Sequence, residues 1–123
     1  PFPMSVEEAL SYIKNKLEIP VLRYAGNRDR LVEKIAILGG AGAEFAGVAK
    51  SMGADLYLTG DLKYHEAQDA AMNGLVIADG GHFYTERVII PYLAKRLRDE
   101  FKTRGWNVGV LEDVRAKDIF HCV

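Results

Sequence analysis

His82 and Glu86 stand four residues apart, directly after Asp79-Gly80-Gly81. On a helix two such residues share one face, with Cβ atoms about 6 Å apart. A neutral imidazole and a carboxylate at that separation can bind one divalent ion through bonds of about 2.0–2.2 Å. Two ligands do not complete a site, because a catalytic ion usually takes about three protein ligands and a water. The plainer alternative is that His82 caps its loop and Glu86 lies solvated beside Arg87. A second acid–histidine pair repeats the spacing, with Asp61 and His65 following Thr59-Gly60. Asp61 suits a helix N-cap without any metal. A histidine's unperturbed side chain titrates near neutrality, so His65 could serve as a proton shuttle or as a partner behind a metal ligand, or be an ordinary hydrogen-bonded histidine.

A third glycine turn, Gly39-Gly40-Ala41-Gly42, lies upstream. It matches a dinucleotide fingerprint only in part, since Phe45 takes the place of the last glycine. Its amides can hold a phosphate or carboxylate at a helix start, or the glycines can simply permit tight strand–helix packing. Gly40, Gly42 and Thr59 are therefore the candidate substrate-binding positions. There is no Walker A lysine-serine pair and no CxxC, HExxH or GxSxG.

The elements that must carry these residues follow from periodicity. Ser5 with Glu8 is a capping-box pattern, and Val6, Leu10, Ile13 and Leu17 recur at helical spacing, so a helix runs from Ser5 to Leu17 and Pro20 stops it. Residues 20–24 and 34–38 read as strands flanking the turn Gly26-Asn27-Arg28-Asp29, and are expected to pair as a hairpin. After Gly42 comes a helix with Phe45, Val48, Ala49 and Met52 inward and Gly53 at its C′ position. Residues 55–59 form a buried strand, and a helix with Asp61 as N-cap runs to Asn73-Gly74. Residues 75–78 form another buried strand, and the longest helix covers about residues 83–102 with the stripe Ile89, Leu93, Leu97 and Phe101. Pro91 should kink that helix or mark a late start. Residues 107–111 read as a last strand, and 112–123 carry little pattern.

Three strand–loop–helix units in succession predict an α/β fold with a mixed, largely parallel sheet and helices on both faces, as a single domain over residues 1–123. In such sheets ligands bind beyond the carboxyl ends of the strands. All three glycine loops should then open on one edge.

Composition agrees with that class and narrows the partners. Of 123 residues, 49% are hydrophobic and 27% charged, which suits a globular chain with a real core. The formal net charge of -1 gives no electrostatic case for nucleic-acid binding. The one cysteine, Cys122, excludes a disulfide within the chain and points to a reducing, cytoplasmic setting. It is expected to be an incidental residue in a frayed terminus. No apolar run reaches the roughly 18 residues of a membrane span, and the start shows no signal-peptide pattern. The chain begins without methionine, as a processed chain, a cloned domain or a fragment would.

The order of these loops resembles a known family. Residues 53–67, Gly-Ala-Asp-Leu-Tyr-Leu-Thr-Gly-Asp-Leu-Lys-Tyr-His-Glu-Ala, and 79–86, Asp-Gly-Gly-His-Phe-Tyr-Thr-Glu, are similar to segments of the NIF-three-like proteins, often labelled GTP cyclohydrolase 1 type 2 homologues. The glycine turn after Ile37-Leu38 matches as well, with Ala41 where the family has serine. The resemblance runs from Met4 to about Leu111. It implies a two-domain α/β protein with two divalent ions (zinc, iron or manganese) in a cleft, His82 and Glu86 being ligands. The family's other ligands, a His-His-Pro segment and a later aspartate, belong to its amino-terminal half. This sequence has no adjacent histidines, so the resemblance makes it the carboxy-terminal half. It further implies that His65 moves protons and Asp61 orients it, that the substrate is nucleotide-like, and that the full-length protein is a homo-oligomer, a toroidal hexamer.

Three functional readings follow. The first is a metal-dependent hydrolase of the cyclohydrolase type, incomplete in this chain alone. The second is a non-enzymatic interaction or transcription-regulatory module with a structural metal. The third is a nucleotide-binding half-domain that uses Gly39 to Gly42.

Overall fold

A computed structural model describes residues 3–121, so the expectation for Cys122 lies outside the described residues. The first helix forms as its capping box predicts. Ser5 ends a two-residue strand, β1 (Met4–Ser5), and caps α1 (Val6–Lys16): the Glu8 amide donates to its Oγ at 3.2 Å, and its own amide donates to Glu8 Oε2 at 2.8 Å. Val6, Ala9, Leu10 and Ile13 are the buried stripe.

A four-stranded sheet follows, with the order β2 (Arg23–Ala25), β6 (Val76–Asp79), β5 (Leu56–Gly60), β4 (Ile35–Ala41). The last three are parallel, and β2 runs antiparallel along β6. The sheet is thus mixed and largely parallel, as expected. The expected hairpin between residues 20–24 and 34–38 does not form. β2 pairs Arg23 with Asp79 at one edge, while β4 lies at the other edge beside β5. Between them a short strand, β3 (Leu31–Val32), pairs with β1. Arg30 and Asp55 explain the crossing. Arg30 Nη2 donates to Asp55 Oδ1 at 2.6 Å, and Asp55 Oδ2 accepts the amides of Glu33 and Lys34 at 3.0 Å each. The chain is thereby anchored at the start of β5 before β4 begins.

Strand alternation divides the core in two. Leu56, Leu58, Val76 and Ala78 face α1, whose side chains complete one cluster with Ile19 and Val32. Tyr57 and Ile77 face the other way, toward Ala49 of α2 (Ala46–Ser51) and Ala70 of α3 (Tyr64–Met72). Helices therefore cover both faces. Each fully buried Leu or Ile contributes roughly 1.5–3 kcal/mol of transfer free energy.

Several local expectations are corrected. Phe45 falls in a 3₁₀ turn (Ala43–Phe45), which delays the helix and rotates its phase. Only Ala49 of the four expected inward residues is buried, and Phe45, Val48 and Met52 are 45%, 53% and 69% exposed. Asp61 is not an N-cap. Its φ is +53°, outside the extended region that a cap needs, and Lys63 precedes α3 instead with an extended backbone and an amide donating to Glu66 Oε2 at 2.9 Å. The long helix is two: α4 (His82–Glu86) and α5 (Ile89–Thr103). Pro91 supplies no N–H for the Arg87 carbonyl and sits in the first turn of α5, so the late start is the outcome. The stripe of α5 faces solvent: Ile89 and Leu93 are exposed, and Ala94 alone in this helix is buried. Residues 107–111 form no strand among the described residues. They lie along α5, tied by Arg98 Nη2 to the Val110 carbonyl at 2.9 Å. Among the described residues no helix is long and apolar enough to cross a membrane.

Candidate metal centre

The parallel strands β4, β5 and β6 end on one edge, and the three glycine segments meet there. The first belongs to β4 itself. The register slips between Ile37 and Ala41, because Ile37 pairs with Leu58 but Ala41 with Gly60. Four residues of β4 thus span two of β5, and this irregularity pushes Gly40 out toward α4. Gly40 takes φ +70°, and a Cβ built there would lie 2.3 Å from Glu86 Oε1. At the end of β5, a Cβ on Gly60 would lie 2.8 Å from the His82 amide nitrogen. Both positions admit only glycine without displacement. The His82–Glu86 pair is packed against backbone on two sides.

Asp79 sets where α4 begins. It is buried, and its Oδ1 accepts the Gly81 amide at 3.0 Å. Its Oδ2 accepts Arg23 Nη2 at 2.5 Å and the Leu62 amide at 3.3 Å. One carboxylate therefore links β2, the β5–α3 connection and the turn into α4. His82 follows. Its Nδ1 lies 2.7 Å from Asp61 Oδ2, and its Nε2 lies 3.1 Å from Glu86 Oε2. The hydrogen bond to Asp61 raises the His82 pKa above its ordinary value against slight desolvation, with the Glu86 and Asp61 charges adding to the rise. The left-handed Asp61 backbone, which an aspartate tolerates better than most residues, is what aims its carboxylate at the ring.

The donor set fits a divalent ion. When Nε2 is deprotonated and the Nδ1 proton is directed to Asp61, the Nε2 lone pair would face Glu86, an arrangement common behind metal-bound imidazoles. Two ligands on one ion, with bonds of about 2.0–2.2 Å, stand about 3 Å apart when they meet at a right angle; the 3.1 Å between His82 Nε2 and Glu86 Oε2 matches. Among the described residues no group of three or more His, Cys, Asp or Glu is arranged to hold an ion. Asp61, His82 and Glu86 also line a cavity of about 1400 Å³, with Arg23, Leu62 and Phe83 on its wall.

The other expected site residues are placed differently. Asp61 meets His82, not His65. His65 is exposed, 3.4 Å from Gln68 Oε1 and edge-on to Tyr64, and does not line that cavity. Gly40, Gly42 and Thr59 do sit at the same edge, but their polar groups serve one another. The Gly42 amide donates to Thr59 Oγ1 at 2.9 Å, Thr59 Oγ1 donates to the Gly40 carbonyl at 2.9 Å, and the Gly40 amide donates to Thr85 Oγ1 at 3.0 Å. Tyr57, whose hydroxyl burial holds protonated, donates to the Gly42 carbonyl at 2.7 Å. Sequence reasoning missed Asp79, Thr85 and Arg23. Asp79 had a signal, an acid closing a buried apolar strand before two glycines. Thr85 and Arg23 had none, since their partners are 45 and 56 residues away.

Known proteins give this edge a context. The sequence profile of the Duf34/NIF3 family (NGG1p interacting factor 3) matches residues 1–117. A GTP cyclohydrolase 1 type 2 homolog of Clostridium perfringens is 37% identical over 120 residues, which cover 98% of this chain and 45% of that protein. One of Bacillus subtilis is 36% identical over 107 residues, covering 87% and 28%. A crystal structure of a Staphylococcus aureus hypothetical protein superposes with a TM-score of 0.90 at 33% identity, over 98% of this chain and 40% of that one. A Bacillus cereus protein related to NIF3 gives 0.89 at 36%, over 98% and 33%. The chain spans less than half the length of these relatives. With the family profile running from end to end of the sheet and through both halves of the His82–Glu86 edge, the chain belongs to the DUF34/NIF3 family.

Proposed function

We propose that His82 and Glu86 hold a divalent ion as part of a dinuclear centre, in a metal-dependent hydrolase resembling GTP cyclohydrolase 1 type 2. The observation that carries the reading is the paired contact of one imidazole: Nε2 at 3.1 Å from Glu86 and Nδ1 at 2.7 Å from Asp61. A carboxylate behind a ligand histidine fixes its tautomer and raises its basicity. Zinc, iron and manganese all accept such a donor pair. The remaining ligands come from other parts of a longer protein, since this chain spans 45% of one relative and 28% of another. Such an ion supplies Lewis-acid activation of water near neutral pH.

This chain's own residues would do the rest. Asp61 holds the imidazole in place, and Glu86 completes the pair from the next helical turn. Gly40 backs Glu86, while the Gly40 and Gly42 amides and the Thr59 hydroxyl are taken up by one another and by Thr85, and a nucleotide-like substrate would enter through the cavity beside Arg23 and Phe83. His65, exposed at the head of α3, would exchange protons with such a substrate only from outside that cavity. In the full-length protein the partners are the amino-terminal half and further copies in a homo-oligomeric ring, in the cytoplasm.

A second reading, a non-enzymatic interaction module with a structural metal, draws on the exposed apolar stripe of α5 and on the family description, which names an interacting factor. Metal analysis and hydrolase assays of the full-length protein separate the two. The first reading expects His82→Ala and Glu86→Ala each to lower metal content and to abolish hydrolysis together. Full metal content in His82→Ala refutes both. Hydrolysis absent in the metal-replete wild type, with folding lost in His82→Ala, favours the second.

A further inference from the structure

Thr85 is buried between α4 and the displaced segment of β4, and its hydroxyl is taken up by backbone groups. Its hydroxyl accepts the Gly40 amide at 3.0 Å and donates to the Gly81 carbonyl at 2.8 Å, with the His82 carbonyl also at 3.1 Å. The second and third contacts are the ordinary back-bonding of a helical threonine. The first is not: it reaches 45 residues along the chain, to the displaced segment of β4. We infer that Thr85 is a positioning residue for the His82–Glu86 pair, fixing the distance between Gly40 and α4 so that Glu86 faces the His82 ring. This rests on the proposed metal reading of that pair.

Three features converge on it. The Gly40 amide is buried, and the Thr85 hydroxyl is its partner. A donor left unsatisfied there would drive local rearrangement of β4. Gly40 is the backbone against which Glu86 lies, its missing Cβ making room for Glu86 Oε1. A shift of Gly40 therefore moves the wall behind one ligand. Gly81, whose carbonyl accepts the hydroxyl's hydrogen bond, is the residue directly before His82. Thr85 thus couples the backbone beside Glu86 to the backbone that launches His82. Its methyl is held as well, packing where a Cβ on Gly80 would come within 2.9 Å.

The test compares Thr85→Val, Thr85→Ser and His82→Ala in the full-length protein. Zn²⁺ affinity is measured by competition titration at a temperature where all are folded by circular dichroism. Amide hydrogen exchange of the peptide holding Gly40 is followed by mass spectrometry in the metal-free full-length protein. Thr85→Val should lose the protection of the Gly40 amide and weaken Zn²⁺ binding about tenfold or more, as loss of an outer-sphere partner does. Thr85→Ser should restore both. Thr85→Val with wild-type affinity, beside His82→Ala that has lost the ion, overturns the inference and leaves the metal reading standing. Wild-type affinity in His82→Ala overturns the metal reading and the inference with it. Equal loss of affinity in Thr85→Val and Thr85→Ser also overturns it, because the hydroxyl bridge would then not be the cause.

Discussion

Gly40→Ala separates the site from the fold. The methyl would arrive 2.3 Å from Glu86 Oε1, 3.0 Å from Glu86 Cδ and 3.3 Å from His82 Cε1. The first two atoms belong to the end of a half-exposed side chain, which can swing into solvent at little cost. Stability therefore falls mainly through the backbone, because an alanine at φ +70° is strained by about 1–2 kcal/mol. For a chain this size that lowers the melting temperature by roughly 3–8 °C. The site suffers more. Glu86 can no longer lie 3.1 Å from His82 Nε2 while the methyl occupies its place, so one of the two proposed ligands from this chain is displaced. The expected result is a folded protein with a modestly lower melting temperature and at least about tenfold weaker metal binding, on the scale of an outer-sphere disruption or beyond. Thermal unfolding with apo protein gives the first quantity, and Zn²⁺ competition titration gives the second. Wild-type metal affinity in a folded Gly40→Ala variant would refute the reasoning, since Glu86 would then not be needed where it stands. Loss of folding altogether would refute the claim that Glu86 yields easily.

Two other perturbations test the electrostatics. Asp61→Asn keeps a residue that tolerates the left-handed backbone but removes the charge behind His82; the His82 titration followed by NMR should move down toward the ordinary histidine value, because the Asp61 hydrogen bond is the main cause of its rise. Since the proton and the ion compete for His82, wild-type metal binding strengthens as pH rises through that elevated pKa, and the midpoint should fall in the variant, while affinity at high pH drops about ten- to a hundredfold. Asp55→Asn probes the fold instead. Burial would push Asp55 up, but the hydrogen bonds from Arg30, Glu33 and Lys34 outweigh it and hold the carboxyl at about 2, against 3.8 in the unfolded chain, which corresponds to about 2 kcal/mol of stability. A depressed pKa contributes fully above the unfolded value and is lost as pH falls through the folded one. Urea unfolding should therefore show the full deficit of Asp55→Asn at pH 6 and a shrinking one toward pH 2, and a deficit independent of pH would sink the assignment.

What the sequence made legible was set by local rules. The capping box of Ser5 and Glu8, the buried strands expected at 55–59 and 75–78 and the meeting of three glycine loops on one edge all depend on near neighbours and strand period, and all appear, the strands one residue later, at Leu56–Gly60 and Val76–Asp79. The His82–Glu86 pair was legible for the same reason, because a helix places residues four apart on one face. What failed depended on distant partners. The edge beside β6 could be filled by β2 or left open, and nothing in residues 20–24 distinguishes the hairpin partner from Asp79 across the sheet. The phase of α2 failed because one 3₁₀ turn was hidden between glycine and helix. The α5 stripe was read correctly as apolar, but periodicity states only that a face is apolar, not what covers it.

The same distinction governs Asp61. Spacing coupled it to His65, four residues on, because helical spacing was the only geometry available to sequence. That coupling required Asp61 to open the helix with a cap conformation. The backbone there is left-handed instead, α3 begins three residues later at Tyr64, and the carboxylate turns across the strand ends to His82, 21 residues away. Left-handed backbone at a non-glycine residue is sparsely populated and persists where surrounding contacts over-determine it. Here the contact is the imidazole that faces Glu86. The strain at Asp61 and the elevated His82 pKa are thus two consequences of one arrangement. Asp61→Gly, free to adopt the same backbone but with no carboxylate, would relieve the first and abolish the second. If the His82 titration stayed high in that variant, Glu86 alone would be its cause, and the ring would have no fixed tautomer with which to meet an ion.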